Sequence, residues 1–451
     1  MKRASTLTFS DMKTTPVGVR FFYTIDGKKY SFFHSLNWKK VKLQKEDAEL
    51  ISTHIGLSFL IDISLTCLPK NVVIETVKLP APALAFWKKV YSRMAMERLY
   101  VEQLPLSVLQ STWKSGNKAK RNLRPIKAKR SEGILLAMSG GKESLTALKI
   151  FEEMKLKPTL FFLQYPLSAI EPTGFWRKKV QKELTKKYEG IRHRSDITNT
   201  LPIRRRFKCT HADGFDMGEI IFGSLLYADR YSSIVIGNEL SVNFGNCLYG
   251  GREVNHQYVK SMDLAKDINH YIHTYLHKDF TYFSPFFGYY EYPIAKMFTV
   301  NRRYFDVWNS CNRGTTEKKF CCECPKCAFT YMMLLAFTSK KFLEAYFWKD
   351  PTLDLPLTKP LFEYNDSPKP LECVGEKKEV WFALEKIYKE KKDQSSPTMN
   401  YFLSDVYPKV RSRMKKIGKE LMEEHTDFFY VPAPLRASLQ KACRRMLHSS
   451  L

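Results

Sequence analysis

Gly133-Ile-Leu-Leu-Ala-Met-Ser139-Gly140-Gly141-Lys142-Glu143-Ser144-Leu-Thr-Ala-Leu-Lys-Ile150 decides how the rest of the chain is read. Gly133 to Met138 are apolar or small, the composition of a strand buried in a parallel sheet. Ser139-Gly140-Gly141 predicts a tight turn, and apolar residues return at Leu145, Leu148 and Phe151 with helical spacing. Strand, glycine turn and helix start form an anion cradle. The N–H groups of the turn and of the first helical turn point at one place, where the helix dipole favours negative charge. Two glycines let the backbone approach a phosphate that a Cβ would hold off. The pattern is neither G-x-x-x-x-G-K-[ST] nor G-x-G-x-x-G, so those nucleotide folds are not indicated.

Outward from this stretch, strands and helices alternate. A strand at Thr159–Leu163 follows Lys157-Pro158, and a basic amphipathic helix covers roughly Phe175–Tyr188. A short strand near Ile191, a helix Met217–Ala228 and a strand Ser233–Ile236 come next. The alternation predicts an α/β fold with a doubly wound parallel sheet, which binds ligands at the carboxyl ends of its strands. Both the cradle and Gly237-Asn238-Glu239 lie at such ends. Residues 1–18 read as a polar, mobile tail. Residues 19–110 read as a small α+β domain, opened by aromatic strands about an Asp26-Gly27 hairpin turn. Residues 111–132 form a linker, with eight Lys/Arg and no Asp or Glu between Trp113 and Arg130. It is either a solvated connection or a basic clamp on a phosphate-bearing substrate. The nucleotide unit is expected over 133–345 and a mostly helical, charged region over 346–451. Arg411, Arg413, Lys415, Lys416 and Lys419 form a basic face there, either solvated or set against a diphosphate.

The 451 residues suffice for two or three domains with full cores. A hydrophobic share of 44% and an aromatic share of 14% exclude a disordered chain. The net charge of +27 suits a polyanionic partner such as nucleic acid, an acidic membrane surface or a nucleotide sugar. No apolar run reaches the ~18 residues needed to span a bilayer. The best stretch, His54–Leu68, is broken by Asp62, so no membrane insertion is expected. The N-terminus lacks an apolar signal core, and a cytoplasmic location follows. Of the ten cysteines, five fall within residues 311–327, which is metal-site usage and not a disulfide framework. Cys311 with Cys321-x2-Cys324-x2-Cys327 offers four thiolates at spacings suited to one tetrahedral Zn²⁺ of structural type. Cys322 is then the spare, or exchanges with Cys321. An iron–sulfur cluster or reduced buried thiols are the alternatives.

The glycine turn resembles the S-G-G-x-D-S loop of the PP-loop ATP pyrophosphatases, with Glu143 where that pattern has Asp. A similar cysteine run stands downstream of this loop in the 7-cyano-7-deazaguanine synthases. Further stretches narrow the match. They are Gly237-Asn-Glu-Leu-Ser-Val-Asn-Phe-Gly-Asn246, Gly251-Arg-Glu-Val-Asn255-His256-Gln257-Tyr-Val-Lys260-Ser261, Tyr282-Phe-Ser-Pro and Glu291-Tyr-Pro-Ile-Ala-Lys-Met-Phe. Ser310-Cys311-Asn312-Arg313, Cys324-Pro-Lys-Cys-Ala-Phe329 and Lys369-Pro-Leu-Glu-Cys-Val-Gly375 complete the set. In this order they resemble the UDP-N-acetylmuramoyl-L-alanyl-L-glutamate epimerase family of peptidoglycan synthesis, over roughly residues 130–380.

The resemblance implies a PP-loop (HUP-like) nucleotide domain. It also implies an ATP- and Mg²⁺-dependent inversion of the terminal L-glutamate of a nucleotide-sugar dipeptide, with release of AMP and pyrophosphate. On this reading Ser139, Gly140, Gly141, Lys142 and Ser144 hold pyrophosphate. Glu143 bears on Mg²⁺, its extra methylene altering the geometry an Asp would give, and Asn238 and Glu239 contact the nucleotide or its metal. Asn255, Gln257 and Lys260 bind substrate. His256, with a pKa near neutrality, and Cys373, if cations lower its thiol pKa, are the candidate proton carriers. Two other readings compete: a PP-loop enzyme modifying a nucleobase or transfer RNA, and a non-enzymatic zinc-stabilised nucleic-acid-binding protein. The absence of an RRM or KH signature argues against a nucleic-acid partner. The sequence is silent on oligomeric state.

Overall fold

The computed structural model describes residues 2–117, 119, 121–128, 131–165, 174–300, 302–315, 317–425 and 430–449. Its elements run in chain order as β1 Thr6–Thr15, β2 Gly18–Ile25, β3 Lys28–Ser35, α1 Lys45–Cys67, β4 Asn71–Ile74, α2 Ala81–Val101 and β5 Thr112–Ser115. Then come β6 Gly133–Ala137, α3 Lys142–Glu153, β7 Thr159–Gln164, α4 Gly174–Leu184, β8 Gly190–Asp196, α5 Thr200–Phe207, α6 Asp216–Leu225 and β9 Tyr231–Val235. The hairpin β10 Cys247–Tyr249 and β11 Arg252–Val254 follows, then α7 Met262–Tyr275, β12 Thr281–Phe283, α8 Glu291–Thr299 and α9 Pro325–Leu335. Helices Lys377–Lys389, Met414–Met422 and Ala433–His448 are the longer elements of the C-terminal region.

Ten strands form one mixed sheet in the order β12-β9-β6-β7-β8-β3-β2-β1-β4-β5. The pairs β8–β3, β3–β2 and β2–β1 are antiparallel and the rest are parallel. The side chains of β6 alternate between two cores. Leu135 and Ala137 join α1, α2, α6 and α7 on one face, while Leu136 joins α3, α8, α9 and the C-terminal helices on the other. Burial on both faces explains the uninterrupted apolar run. From β6 the chain steps through β7 to β8 on one side, then returns to place β9 and β12 on the other side of β6. The strand order therefore reverses between β6 and β9, and the loops after these two strands flank the crevice where such sheets bind ligands.

The N-terminal region departs from the expected layout. The tail expected over residues 1–18 is not one in the described residues: β1 is an interior strand between β2 and β4, with Leu7, Phe9 and Met12 buried. A bulge between Phe9 and Asp11 shifts the register, so the inward set passes from odd to even positions and the alternation is hidden. Nor do residues 19–110 form a separate sheet, because β3 pairs directly with β8 through Phe33, His34 and Ser35. The basic stretch is fastened down. β5 continues the sheet, Arg121 pairs with Glu49 at 2.8 Å, and Arg124 reaches the buried Asp47 at 2.6 Å. Lys118, Lys120, Lys129 and Arg130 of that stretch lie outside the described residues.

The helix α1 is long and apolar enough to cross a membrane, yet it is a core helix, with 94% of its most apolar window buried. Its hydroxyls donate to the carbonyls four residues back, Ser52 to Ala48 at 2.7 Å and Ser64 to Leu60 at 2.7 Å, which lets polar residues sit in an apolar setting.

Candidate active site

The turn after β6 is held from three sides. Gly140 has φ +84°, and a Cβ there would come within 2.8 Å of Val180, so both backbone and space require glycine. Gly237, after β9, lies where a Cβ would come within 2.9 Å of the Glu143 Cβ, which lets the second loop close on the start of α3. Asn309 N–H donates to the Gly140 carbonyl at 2.8 Å, and Lys142 N–H donates to Ser310 Oγ at 3.3 Å. The segment Asn309–Cys311 thus rests on the cradle.

Cys311 ties that segment to the cysteine cluster. The sulfurs of Cys311, Cys321, Cys324 and Cys327 all lie within 4.8 Å of one another, and Cys321 Sγ is 3.7 Å from Cys327 Sγ. Four thiolates at 2.3 Å from a tetrahedral ion stand roughly 3.8 Å apart, so the set can hold a metal. Backbone N–H groups of Arg313 and Cys321 donate to Cys311 Sγ at 3.3 and 3.4 Å, the support usual for a metal-bound thiolate. Cys322 is the spare: it has φ +58° and points to the Phe320 carbonyl.

Two adjoining cavities open at the crevice. The larger, ≈ 580 Å³, is lined by Ser139, Gly141, Glu143 and Ser144 at one part and by His256, Lys260 and Cys373 at another, with Asn238 and Asn255 also on its wall. The smaller, ≈ 50 Å³, is lined by Lys142, Glu143, Glu239 and Glu291, and shares Lys260 and Cys373 with the larger. Lys142 departs from expectation. Its ammonium is buried and paired with Glu143 and Glu291, so it lines the smaller cavity and is committed to carboxylates and not to the main cradle. Burial pushes the Glu143 carboxyl up, but the charge and hydrogen bond of Lys142 outweigh it and hold it down at about 2. The Glu239 carboxyl is pushed well up by burial and then by the charge of Glu291. Two of the three carboxylates of the smaller cavity, Glu143 and Glu291, are thus paired with Lys142, while Glu239 has no ion pair among the described residues.

Asn238, Asn255 and Gln257 act mainly on the protein. Asn238 N–H donates to Ser284 Oγ at 2.9 Å, and Asn255 Nδ2 donates to the Val242 carbonyl at 2.9 Å. Gln257 lines neither cavity; its Nε2 donates to the Val374 carbonyl at 3.2 Å, which fixes the residue after Cys373. This donation braces the segment that carries Cys373, while the Gln257 Oε1 is buried with no hydrogen-bond partner among the described residues. The five basic residues at 411–419 line neither cavity and are exposed, so they are a solvated face.

The other part of the larger cavity gathers the two candidate proton carriers. Lys260 Nζ is 3.3 Å from Cys373 Sγ, and His256 Nε2 is 3.9 Å from it. Burial pushes the Cys373 thiol up, but Lys260, Lys326 and His256 more than reverse this and hold it well below the usual range. Burial pushes His256 down, while Cys373 and Glu97 carry it up to about 10. The three side chains therefore favour one another's charged forms, a thiol lowered beside two cations. On its other side His256 Nδ1 is 2.9 Å from Glu97 Oε1 and 3.3 Å from Asp213 Oδ2, and His211 Nε2 is 2.7 Å from the same Glu97 oxygen. Glu97, His211 and Asp213 were not singled out in the sequence. The available signal was a charge on an apolar stripe, since Glu97 follows Trp87, Val90 and Met94 along the buried face of α2.

Comparison with known proteins agrees with this assembly. The model of the MurL N-terminal domain matches residues 220–285, and that of the MurL C-terminal domain matches residues 307–417. Three curated relatives share the name UDP-N-acetyl-alpha-D-muramoyl-L-alanyl-L-glutamate epimerase. The protein from Xanthomonas oryzae pv. oryzae is 24% identical over 61% of this chain and 61% of its own length. That from Micromonospora sp. is 24% identical over 73% of both chains, and that from Salinispora tropica 24% over 79% of this chain and 76% of its own. The matched regions carry the β9–β12 side of the crevice and the cysteine cluster, in the order in which the fold uses them, and over these regions the chain is similar to the MurL family.

Proposed function

We propose that the protein epimerises the terminal glutamate of UDP-N-acetyl-α-D-muramoyl-L-alanyl-L-glutamate, a peptidoglycan precursor, in the cytoplasm. The observation that carries this reading is the joining, in one cavity, of a phosphate cradle to a thiolate flanked by cations. The nucleotide unit, residues 133–345, is read as a PP-loop domain of HUP type, covered by the helical region 346–451. The strands before it extend the same sheet.

The chemistry follows from the acidity of Cα–H. Beside a carboxylate, deprotonation would stack a second negative charge next to the first. Attack of that carboxylate on the α-phosphorus of ATP forms an acyl-adenylate and expels pyrophosphate, which removes the charge and makes the Cα proton acidic. The N–H groups of Gly141 and Lys142 and the Ser139 and Ser144 hydroxyls would hold the phosphates. Mg²⁺ bound with the phosphates would supply charge neutralisation at the departing pyrophosphate, with Glu239 the carboxylate of the smaller cavity that Lys142 leaves unpaired. Zn²⁺ in the cysteine cluster would fix Asn309–Cys311 under the cradle. Cys373 thiolate takes the Cα proton, and the electron pair passes into the acyl carbonyl. A proton returns on the opposite face, and water then attacks the acyl carbon and releases AMP. Groups that flank one Cα at about 3–3.5 Å each must stand well over 5 Å apart. His256 and Cys373, at 3.9 Å, stand on one side, so we assign His256 to Cys373 and not to the opposite face.

The test is incubation with ATP, Mg²⁺ and the L-glutamate substrate in deuterated water, following AMP, Cα deuterium and glutamate chirality together. The reading expects all three to change, and expects Cys373→Ser to keep AMP formation and lose deuterium uptake. AMP without inversion by the wild type would retain the adenylation and reject the substrate.

A further inference from the structure

We propose that Glu97 is a positioning residue of this site, acting through His256: its carboxylate holds Nδ1 so that Nε2 faces Cys373. The proposal deepens the epimerase reading and rests on it for its catalytic consequence. Its geometric basis is independent of that reading.

Glu97 comes from α2, in the strand-and-helix region before the nucleotide unit, and is 159 residues from His256 in sequence. It is only 6% exposed, and one oxygen, Oε1, receives both His256 Nδ1 at 2.9 Å and His211 Nε2 at 2.7 Å. Donors around a divalent ion bonded at 2.0–2.1 Å would stand roughly 3.3 Å apart. The shorter separations here are those of charge-assisted hydrogen bonds. An imidazole whose Nδ1–H is fixed by a carboxylate has one ring orientation and one free nitrogen, and at this site that nitrogen looks at Cys373 Sγ. The charged groups that bear on this line are few. Glu97 is faced by His211, His256 and Asp213, and His256 by Glu97, Asp213 and Cys373. Cys373 is faced by His256, Lys260 and Lys326, with Asp213 and Asp216 within electrostatic range. Asp213 is half exposed at its side chain, so the buried Glu97 is the oriented partner.

The experiment measures alkylation of Cys373 by iodoacetamide against pH, read on the Cys373 peptide by mass spectrometry, in the wild type, Glu97→Gln, His256→Asn and the double variant. Glu97→Gln keeps the volume and removes the charge. A hydrogen bond to a charged group corresponds to a change of about 10- to 100-fold, so alkylation at neutral pH should slow by that factor as its inflection moves up. The effect of Glu97→Gln should vanish in the His256→Asn background, because the path runs through that ring. An unchanged profile in Glu97→Gln, or an equal shift in both backgrounds, overturns the proposal. In turnover, Glu97→Gln should lower kcat for deuterium uptake by a similar factor, with KM within about twofold and AMP formation retained. If the wild type takes up no deuterium, the epimerase reading fails while the alkylation comparison still decides Glu97. Should Glu97→Gln not fold, Glu97→Asp, which keeps the charge and shortens the reach, carries the same comparison.

Discussion

Replacing Lys142 by Met tests the account of the smaller cavity most directly. Lys142 is 2% exposed, and its ammonium lies between the carboxylates of Glu143 and Glu291. Removing one partner of a buried pair costs about 3–5 kcal/mol, because the remaining charge stays buried without compensation. The methionine retains most of the volume, so a packing loss adds little. The sign with pH follows from Glu143. In the wild type its folded value, about 2, lies below the ordinary 4.5. It therefore contributes stability that is present above pH 4.5 and lost as pH falls towards 2. In Lys142→Met, burial acts without the ammonium and lifts the carboxyl above 4.5, so a penalty exists above that raised value and is relieved as pH falls. The stability difference between wild type and variant should grow from pH 5 to pH 8, reaching about 3–5 kcal/mol at the upper end. Urea unfolding at several pH values, followed by circular dichroism, measures it. A difference below about 1 kcal/mol, or one flat with pH, would refute the pairing as the source of these shifts.

Two further outcomes are expected. Cys324→Ser should lower zinc, measured by elemental analysis, from about one ion per chain, and AMP formation should fall with it because Asn309–Cys311 loses its anchor under the cradle. Retention of full AMP formation without zinc would separate the cluster from the cradle. Gly140→Ala should cost about 1–3 kcal/mol, from a left-handed backbone and from crowding against Val180, read as a lower thermal midpoint together with lost nucleotide binding in calorimetry.

What the sequence disclosed and what it hid divide along the range of the interactions. β6, the turn and α3 were legible because an apolar run, two glycines and a helical stripe are neighbours in sequence. The cysteine cluster was legible for the same reason, its ligands spanning Cys311 to Cys327. β1 was hidden by a bulge that breaks its own alternation. The β3–β8 pairing was hidden because nothing local names the partner of a strand. At that pairing the polar residues are consumed internally: His34 Nδ1 meets Ser195 Oγ at 2.8 Å, and His34 Nε2 meets His193 Nδ1 at 2.9 Å. The polar group Asn255–Lys260 was found as a group but not sorted, since Lys260 reaches Cys373 while Gln257 braces Val374. Only tertiary placement separates a contact with ligand from a strut.

That placement also bears on why the N-terminal strands share a sheet with the nucleotide unit. A cradle for phosphates needs only the β6–β9 crevice and the loops beside it. A thiolate at Cys373 acting as a base would need its cations and its imidazole fixed, and these, with the carboxylate that holds the ring, come from three separate stretches: Glu97, His256 with Lys260, and Lys326. A hinge between a nucleotide unit and an independent N-terminal domain would let Glu97 drift relative to His256, and a hydrogen bond weakens steeply over less than an ångström. Continuity of the sheet through β3–β8, with α1 packed against β1 and β2 and against α5 and α6, removes that freedom. The buried histidine pair at the join reinforces this, because sliding the strands by one residue would leave His34 and His193 without partners in an apolar interior. The fused sheet is therefore the physical means by which Glu97, from before the cradle, keeps its place against His256, as the proposed chemistry would need.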